Sequence, residues 1–344
     1  MDDSVQEQRD RYIVGAYATS PNIYKWDQET ELQYFNELKK LPSIRGLELP
    51  FWGDGLHPFD DRWLLENIDP SWENVLTCVP GTMKSLQTDS NFGLASESEE
   101  SRKKALELYK KALLSVRKLN EHLGKNAVLA VHITSSPSNT RNNVAGCAEK
   151  FLDSLLEISS WDWCGARIVI EHCDAYSEGF KPRKGFLPLD DEIDSVSRAN
   201  EKTNTNVGIT INWARSVIEK RNVLGAVEHI SEVARSGMLS GMMFSGVTDR
   251  KDNKYGQWED THMPPAREGN MEYYEDDSLM TAGNMEASLA ACDIKMLDYI
   301  GIKLLAMPED TSIERRVGLN RDAMGLLDII ISRCHDTNLG RMQY

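Results

Sequence analysis

The chain has 344 residues, 40% hydrophobic and 27% charged, a balance that excludes disordered and fibrous classes and suits one large α/β barrel built on a single core. Its net charge of −15 repels phosphate backbones and anionic head groups, which argues against nucleic-acid and membrane partners and toward a neutral small molecule. No run of about 18 apolar residues is present to span a bilayer, and the acidic start MDDSVQEQRD is unlike a secretory leader, so the expected compartment is the cytoplasm.

Taken in order, apolar runs rich in Val, Ile and Leu alternate with segments of helical period. A strand over 12–20 (YIVGAYATS) precedes a helical ETELQYFNELKK, and a strand over 44–51 (IRGLELPF) precedes a short helical DDRWLLEN. A third strand covers 74–81. Between 98 and 123, Leu106, Tyr109, Leu113, Val116, Leu119 and Leu123 recur three or four apart among charged residues, the stripe of an amphipathic helix. Strand four follows over 127–135. A helix over 143–158 leads to strand five over 167–175, and a helix over about 190–200 leads to strand six over 207–215. The helical ARSVIEKRNVLGAVEHISEVARSG brings the chain to strand seven over 239–247. A polar loop follows, then helical GNMEASLAACDIKMLDY, strand eight over 299–308 and a last helix over about 311–335.

Strands without alternating polar faces are buried on both sides, as parallel strands under crossover helices are. Eight such units predict an α/β fold, a (β/α)8 TIM barrel over 1–344 as a single domain. No GxGxxG turn supports a dinucleotide site. The connections 80–98 and 247–281 are long enough to suggest binding loops or lids. Six cysteines (Cys78, Cys147, Cys164, Cys173, Cys292 and Cys334) lie scattered without a CxxC pair and are expected as free thiols.

In such a barrel, chemistry gathers where strands end and βα-loops begin. Polar residues there are Glu48 on strand two, His132 on strand four, Glu171 and His172 on strand five, and Asn212 with Trp213 on strand six. A carboxylate in an apolar strand must be paired, hydrogen-bonded or protonated, so Glu48 and Glu171 are acid/base candidates. The competing reading pairs them structurally with Arg45 or Arg167 and makes His132 a satisfied core histidine. His172 should face away from Glu171 and is read as structural.

GLELP on strand two, VH on strand four and IVIEH on strand five resemble the xylose-isomerase-like TIM barrels, the superfamily of sugar isomerases, ketose epimerases and endonuclease IV. More narrowly, the chain resembles a bacterial branch that lacks most of the usual metal ligands. The resemblance implies sugar metabolism, and a divalent metal held by Glu on strand five, Asp on six, His on seven and Glu on eight. Glu171 matches the first; Asn212, Phe244 or Ser245, and Ala306 stand where the others belong, so the expectation is no cofactor, with a metal held by Glu171 and His262 as the alternative.

The loop after strand seven reads YGQWEDTHMPP over 255–265 and is expected to descend over the strand ends. Asp260 and His262 would join Glu171 and His132 as catalytic groups, with Glu171 as base, His132 or His262 as carbonyl polariser or proton relay, and Asp260 orienting His262. Glu48, Trp52, Asn212, Trp213, Tyr255 and Trp258 would bind hydroxyls and ring faces. The expected function is a sugar isomerase or epimerase working by proton transfer next to a carbonyl. The alternatives are a non-catalytic carbohydrate-binding barrel, or a hydrolase or lyase using Glu48 and Glu171. The partner expected is a small-molecule carbohydrate; homo-oligomer formation stays open. Lys303, in GIKLL, is expected by parity with Ala306 to face outward.

Overall fold

The computed structural model describes residues 11–22, 25–140 and 143–341. Eight parallel strands close a barrel: β1 (Tyr12–Val14), β2 (Ile44–Pro50), β3 (Asn74–Thr77), β4 (Val128–Ile133), β5 (Arg167–His172), β6 (Gly208–Asn212), β7 (Leu239–Phe244) and β8 (Tyr299–Ile302). Each pairs with its neighbours in sequence, and β8 returns to β1 through Ile13 opposite Gly301. The helices α1 (Ala16–Thr19), α2 (Gln28–Leu38), α3 (Asp61–Asn67), α4 (Val79–Leu86), α5 (Glu99–Leu123), α6 (Ala148–Ser159), α7 (Leu189–Thr203), α8 (Trp213–Lys220), α9 (Leu224–Arg235), α10 (Ala282–Leu289) and α11 (Ile313–Arg341) lie between and after them. None of the described helices is long and apolar enough to cross a membrane.

Strand alternation sorts the side chains into two layers. Ile13, Val75, Ala130, Val169, Met243 and Tyr299 form a small cluster inside the barrel, and a far larger cluster lies between the strands and the helices. Tyr299 fits inside because its neighbour is Gly241, where an added Cβ would come within 2.4 Å of the tyrosine ring. On β4 and β5 the residues two beyond the inward Ala130 and Val169 are His132 and Glu171, which therefore share the interior toward the strands' C-terminal ends. The long helix α5 is capped by the Ser98 side chain accepting from Ser101 N–H, carries Glu99 and Glu100 in its first turn, and stops at Gly124 in the left-handed region. Its predicted stripe is buried from Leu106 through Leu119.

Several element boundaries differ from those expected from sequence. Predicted strands overrun the observed ones because the βα-connections are themselves apolar and buried: β1 stops at Val14 and turns into α1, and β8 stops at Ile302. The connection read as a long loop from Pro80 contains α4, whose first turn holds that proline without losing a hydrogen bond. The helix expected over 214–237 is two helices, broken at Arg221 with φ 50°. Before α6 the chain makes a two-stranded hairpin, Asn139–Thr140 with Asn143–Val144. The expected long loop after β7 does run without a helix to α10. All six cysteines are free.

Candidate active site

At the C-terminal end of the barrel interior, four side chains from four strands or their ends meet: Glu48, His132, Glu171 and Lys303, none more than 1% exposed. Lys303 Nζ lies 2.8 Å from Glu48 Oε1 and 3.3 Å from Glu171 Oε1. His132 Nδ1 stands 3.4 Å from Glu48 Oε1 and 3.6 Å from Glu171 Oε2, near both without an aligned hydrogen bond. Its Nε2 meets the Tyr299 hydroxyl at 2.6 Å, and that hydroxyl donates to Thr210 Oγ1 at 2.9 Å. Tyrosine's proton being committed to Thr210, His132 must donate from Nε2 while Nδ1 faces two carboxylates, an arrangement that suits the imidazolium.

The charges set one another. Burial works to raise the Glu48 pKa, but Lys303 and the His132 ring outweigh it and hold the carboxyl below its ordinary range. Burial likewise opposes ionisation of Glu171, and Arg215 with Lys303 overcomes it by a wide margin. Burial would neutralise His132, yet the adjacent carboxylates of Glu171 and Glu48 push its pKa up. Lys303 would also lose its proton to burial, and the two glutamates keep it charged. It is an ammonium, not a free amine, which rules it out as a ready nucleophile.

A second set of charges ties the β7 loop to this centre. Arg215, on the first turn of α8, places Nη1 2.8 Å from Glu171 Oε1 and Nε 3.1 Å from Asp260 Oδ2. Lys184 also pairs with Asp260. Burial opposes the charge on Asp260, and Lys184 and Arg215 hold it well below the usual carboxylate range. His262 Nδ1 hydrogen-bonds with Ser245 Oγ at 2.8 Å and lies 3.5 Å from Asp260 Oδ1. Burial pushes the His262 pKa down to about 4; Asp260 resists, while Lys303 and Arg215 add to the depression. A single guanidinium thus bridges the loop's aspartate to Glu171.

A cavity of about 440 Å³ opens beside this centre, over the ends of β1 and β2, with Tyr17, Glu48, Trp52, His57 and Phe59 in its wall. Trp52 and Phe59 are 40% and 48% exposed, and Glu48 Oε2, though buried, has no hydrogen-bond partner. Apolar and aromatic walls with a few polar groups are typical of a small-molecule site. Glu31 and His57 pair on its rim at 3.3 Å.

The sequence-predicted residues divide accordingly. Glu48, His132, Glu171 and Asn212 come together, Asn212 Nδ2 donating to Glu171 Oε1 at 3.2 Å. Asp260 and His262 join through Arg215, and Trp52 lines the cavity. Three aromatics are corrections. Tyr255 is 1% exposed and donates to the Leu305 carbonyl at 3.1 Å; it anchors its loop and offers no ring face. Trp213 faces the helices, with Nε1 donating to Ser288 Oγ at 2.9 Å. Trp258 packs under Arg221, 5.2 Å from its ring, outside the cavity wall. Arg45 and Arg167, the rival partners for the glutamates, pair instead with Glu73 and Asp298.

Lys303 overturns the outward placement: it is 0% exposed and inside the barrel. Parity from Ala306 fails because β8 ends at Ile302 and the backbone beyond it leaves the ladder, whereas parity from the inward Tyr299 points Lys303 inward. Gly15 makes this possible, since a Cβ there would stand 2.9 Å from Lys303 Cγ. Arg215, Lys184 and Tyr299 also belong to the site, and no motif in the sequence marks them.

The divalent metal implied by the resemblance does not fit these residues. Glu48, His132 and Glu171 each bring one ligand-type atom within 4.8 Å of the others, but Lys303 Nζ already sits against both carboxylates. Phe244 and Ala306 supply no ligand atom, Asn212 offers only an uncharged Oδ1 while its Nδ2 donates to Glu171, and Ser245 is engaged by His262. His262 joins Glu171 in no cluster of metal-competent groups among the described residues.

Residues 13–319 match the family described as a domain of unknown function, DUF4862. An uncharacterized protein of Salmonella typhimurium, STM3670, is 35% identical over 317 residues, covering 92% of this chain and 96% of its own. Among solved structures, a xylose isomerase-like TIM barrel/4-hydroxyphenylpyruvate dioxygenase fusion protein superposes with a TM-score of 0.57 at 10% identity, over 96% of this chain and 44% of that one, so the present chain spans less than half of the fusion. A D-psicose 3-epimerase solved in the presence of D-fructose gives 0.53 at 12% identity over 93% and 97%. The fold is the xylose-isomerase-like TIM barrel.

Proposed function

The chain belongs to the DUF4862 family, built on the xylose-isomerase-like barrel, and on that premise we propose that it isomerises or epimerises a sugar or sugar derivative by moving a proton next to a carbonyl. The observation that carries this reading is the ammonium of Lys303 set 2.8 Å from Glu48, whose other oxygen is unpartnered and which lines the cavity. A D-psicose 3-epimerase shares the fold, which supports a carbohydrate as the substrate class.

In this proposal Glu48 is the base. Glu171, the base expected from sequence, has Oε1 engaged by Arg215, Lys303 and Asn212 and Oε2 approached by Thr77, and it serves as the anion that fixes both cations. Glu48 Oε2 takes the proton from the carbon beside the carbonyl. The negative charge arriving on the carbonyl oxygen is met by the Lys303 ammonium and the His132 imidazolium, fixed charges that are buried and so act more strongly than in water. Reprotonation at the neighbouring carbon completes an isomerisation, and on the opposite face an epimerisation. His132 supplies or relays that proton, with Tyr299 holding its ring. A positioned proton-transfer group typically contributes about 10²- to 10⁴-fold in rate.

A glycosidase needs one carboxyl of its pair protonated as the acid, and Lys303 with Arg215 keeps both Glu48 and Glu171 ionised, which disfavours hydrolysis. Incubation with a panel of ketoses and aldoses in deuterium oxide tests the proposal: deuterium should enter at the carbon next to the carbonyl. Binding without exchange across the panel would select a non-catalytic carbohydrate binder instead.

A further inference from the structure

Behind β5, on the side away from the barrel interior, His172, Glu219 on α8 and His229 on α9 are all buried. One ligand-type atom of each lies within 4.8 Å of the others. His172 Nε2 is 3.2 Å from Glu219 Oε2, and His229 Nε2 is 3.5 Å from Glu219 Oε1. Ligands held at about 2.0–2.2 Å around a tetrahedral zinc ion stand roughly 3.3–3.5 Å apart, and each imidazole already lies near that distance from one of the two Glu219 oxygens.

The remaining ring nitrogens are also spoken for. His172 Nδ1 meets Glu192 Oε2 at 2.7 Å, and His229 Nδ1 meets Ser216 Oγ at 3.0 Å. Histidine ligands to metals commonly commit their other nitrogen to such a partner, which fixes the tautomer and the ring plane. Glu219 is itself aimed by the Ala175 N–H, which donates to Oε2 at 2.8 Å. Lys220 Nζ lies 3.1 Å from Glu219 Oε1 on a side chain 40% exposed, so it can swing into solvent and leave a fourth position to water.

We propose that His172 Nε2, His229 Nε2 and Glu219 form a zinc site on the outer face of the barrel, separate from the mouth. Two imidazoles and one carboxylate are a donor set suited to zinc. Binding releases the proton held between His172 and Glu219 to solvent, since the imidazole must be neutral to ligate. The ion ties β5 to α8 and α9 and clamps that strand at His172, the residue next to Glu171.

The test uses the full chain stripped with a chelator and titrated with zinc chloride alone, read by equilibrium dialysis with elemental analysis and by thermal melting. One zinc per chain and a higher melting temperature are expected. His229→Ala should weaken uptake at least about tenfold, while Glu171→Gln, which dismantles the mouth cluster, leaves uptake unchanged. Anomalous diffraction at the zinc edge from crystals of the unaltered chain gives a readout independent of any variant's folding, with a peak expected among the three side chains. No uptake by the unaltered chain, retained affinity in His229→Ala, loss of uptake in Glu171→Gln, or a peak elsewhere would each overturn the site.

Discussion

Lys303 on the exit of the last strand sets its ammonium 2.8 Å from Glu48 Oε1 on the second, placing a fixed positive charge between the two glutamates of the barrel mouth. Replacing it by methionine leaves Glu48 and Glu171 buried without their shared cation. Removing one partner of a buried ion pair costs about 3–5 kcal/mol, so Lys303→Met should lower the free energy of urea unfolding by that order. Its Glu48 carboxyl should titrate higher than in the unaltered chain, visible by carboxyl NMR.

Arg215 joins Glu171 to Asp260, and through it the β7 loop to the barrel. Arg215→Met should therefore expose the loop to cleavage: limited proteolysis should cut between 247 and 281 faster than in the unaltered chain, with little change elsewhere. An unchanged cleavage pattern would mean that Lys184 and the loop's own contacts suffice to hold it.

Trp52 lines the cavity at 40% exposure and is not needed for the core. Trp52→Ala should change stability by no more than about 0.5 kcal/mol, as exposed substitutions usually do, and should raise KM with kcat nearly unaltered, the signature of lost binding that is equal in ground and transition states.

His262 gives a pH dependence with a definite sign. Its folded pKa is depressed from the ordinary 6.5 to about 4, so the native state holds the ring neutral where the unfolded chain would protonate it. The associated stability is present above pH 6.5 and is lost as pH falls from there through about 4. The difference in unfolding free energy between the unaltered chain and His262→Gln should shrink over that interval. NMR of the ring should show its titration near pH 4.

The barrel was legible because doubly buried parallel strands leave unbroken runs such as RIVIEH and GITIN, and Glu48 and Glu171 stand out in such runs. The loop's Asp260 and His262 were legible as polar groups in a long connection. Three things were not. The inward face of Lys303 is hidden because strand parity holds only to Ile302, and Ala306 lies beyond the strand's end. Arg215 is one arginine among many until α8 is known to begin at Trp213, which turns it toward Glu171. Tyr255 and Trp258 look like sugar platforms in sequence, yet a loop of this length needs anchors of its own, and both aromatics are used for that.

The proposed proton transfer at the mouth runs through Glu48 beside a fixed ammonium rather than through a metal. Its most direct measurement is deuterium incorporation into a responsive sugar by the chelator-treated chain, compared with Glu48→Gln under the same conditions. Exchange should proceed without added metal and fall by about 10²-fold or more in the variant. Exchange that appears only when a divalent ion is supplied, or that survives in Glu48→Gln, would contradict the account.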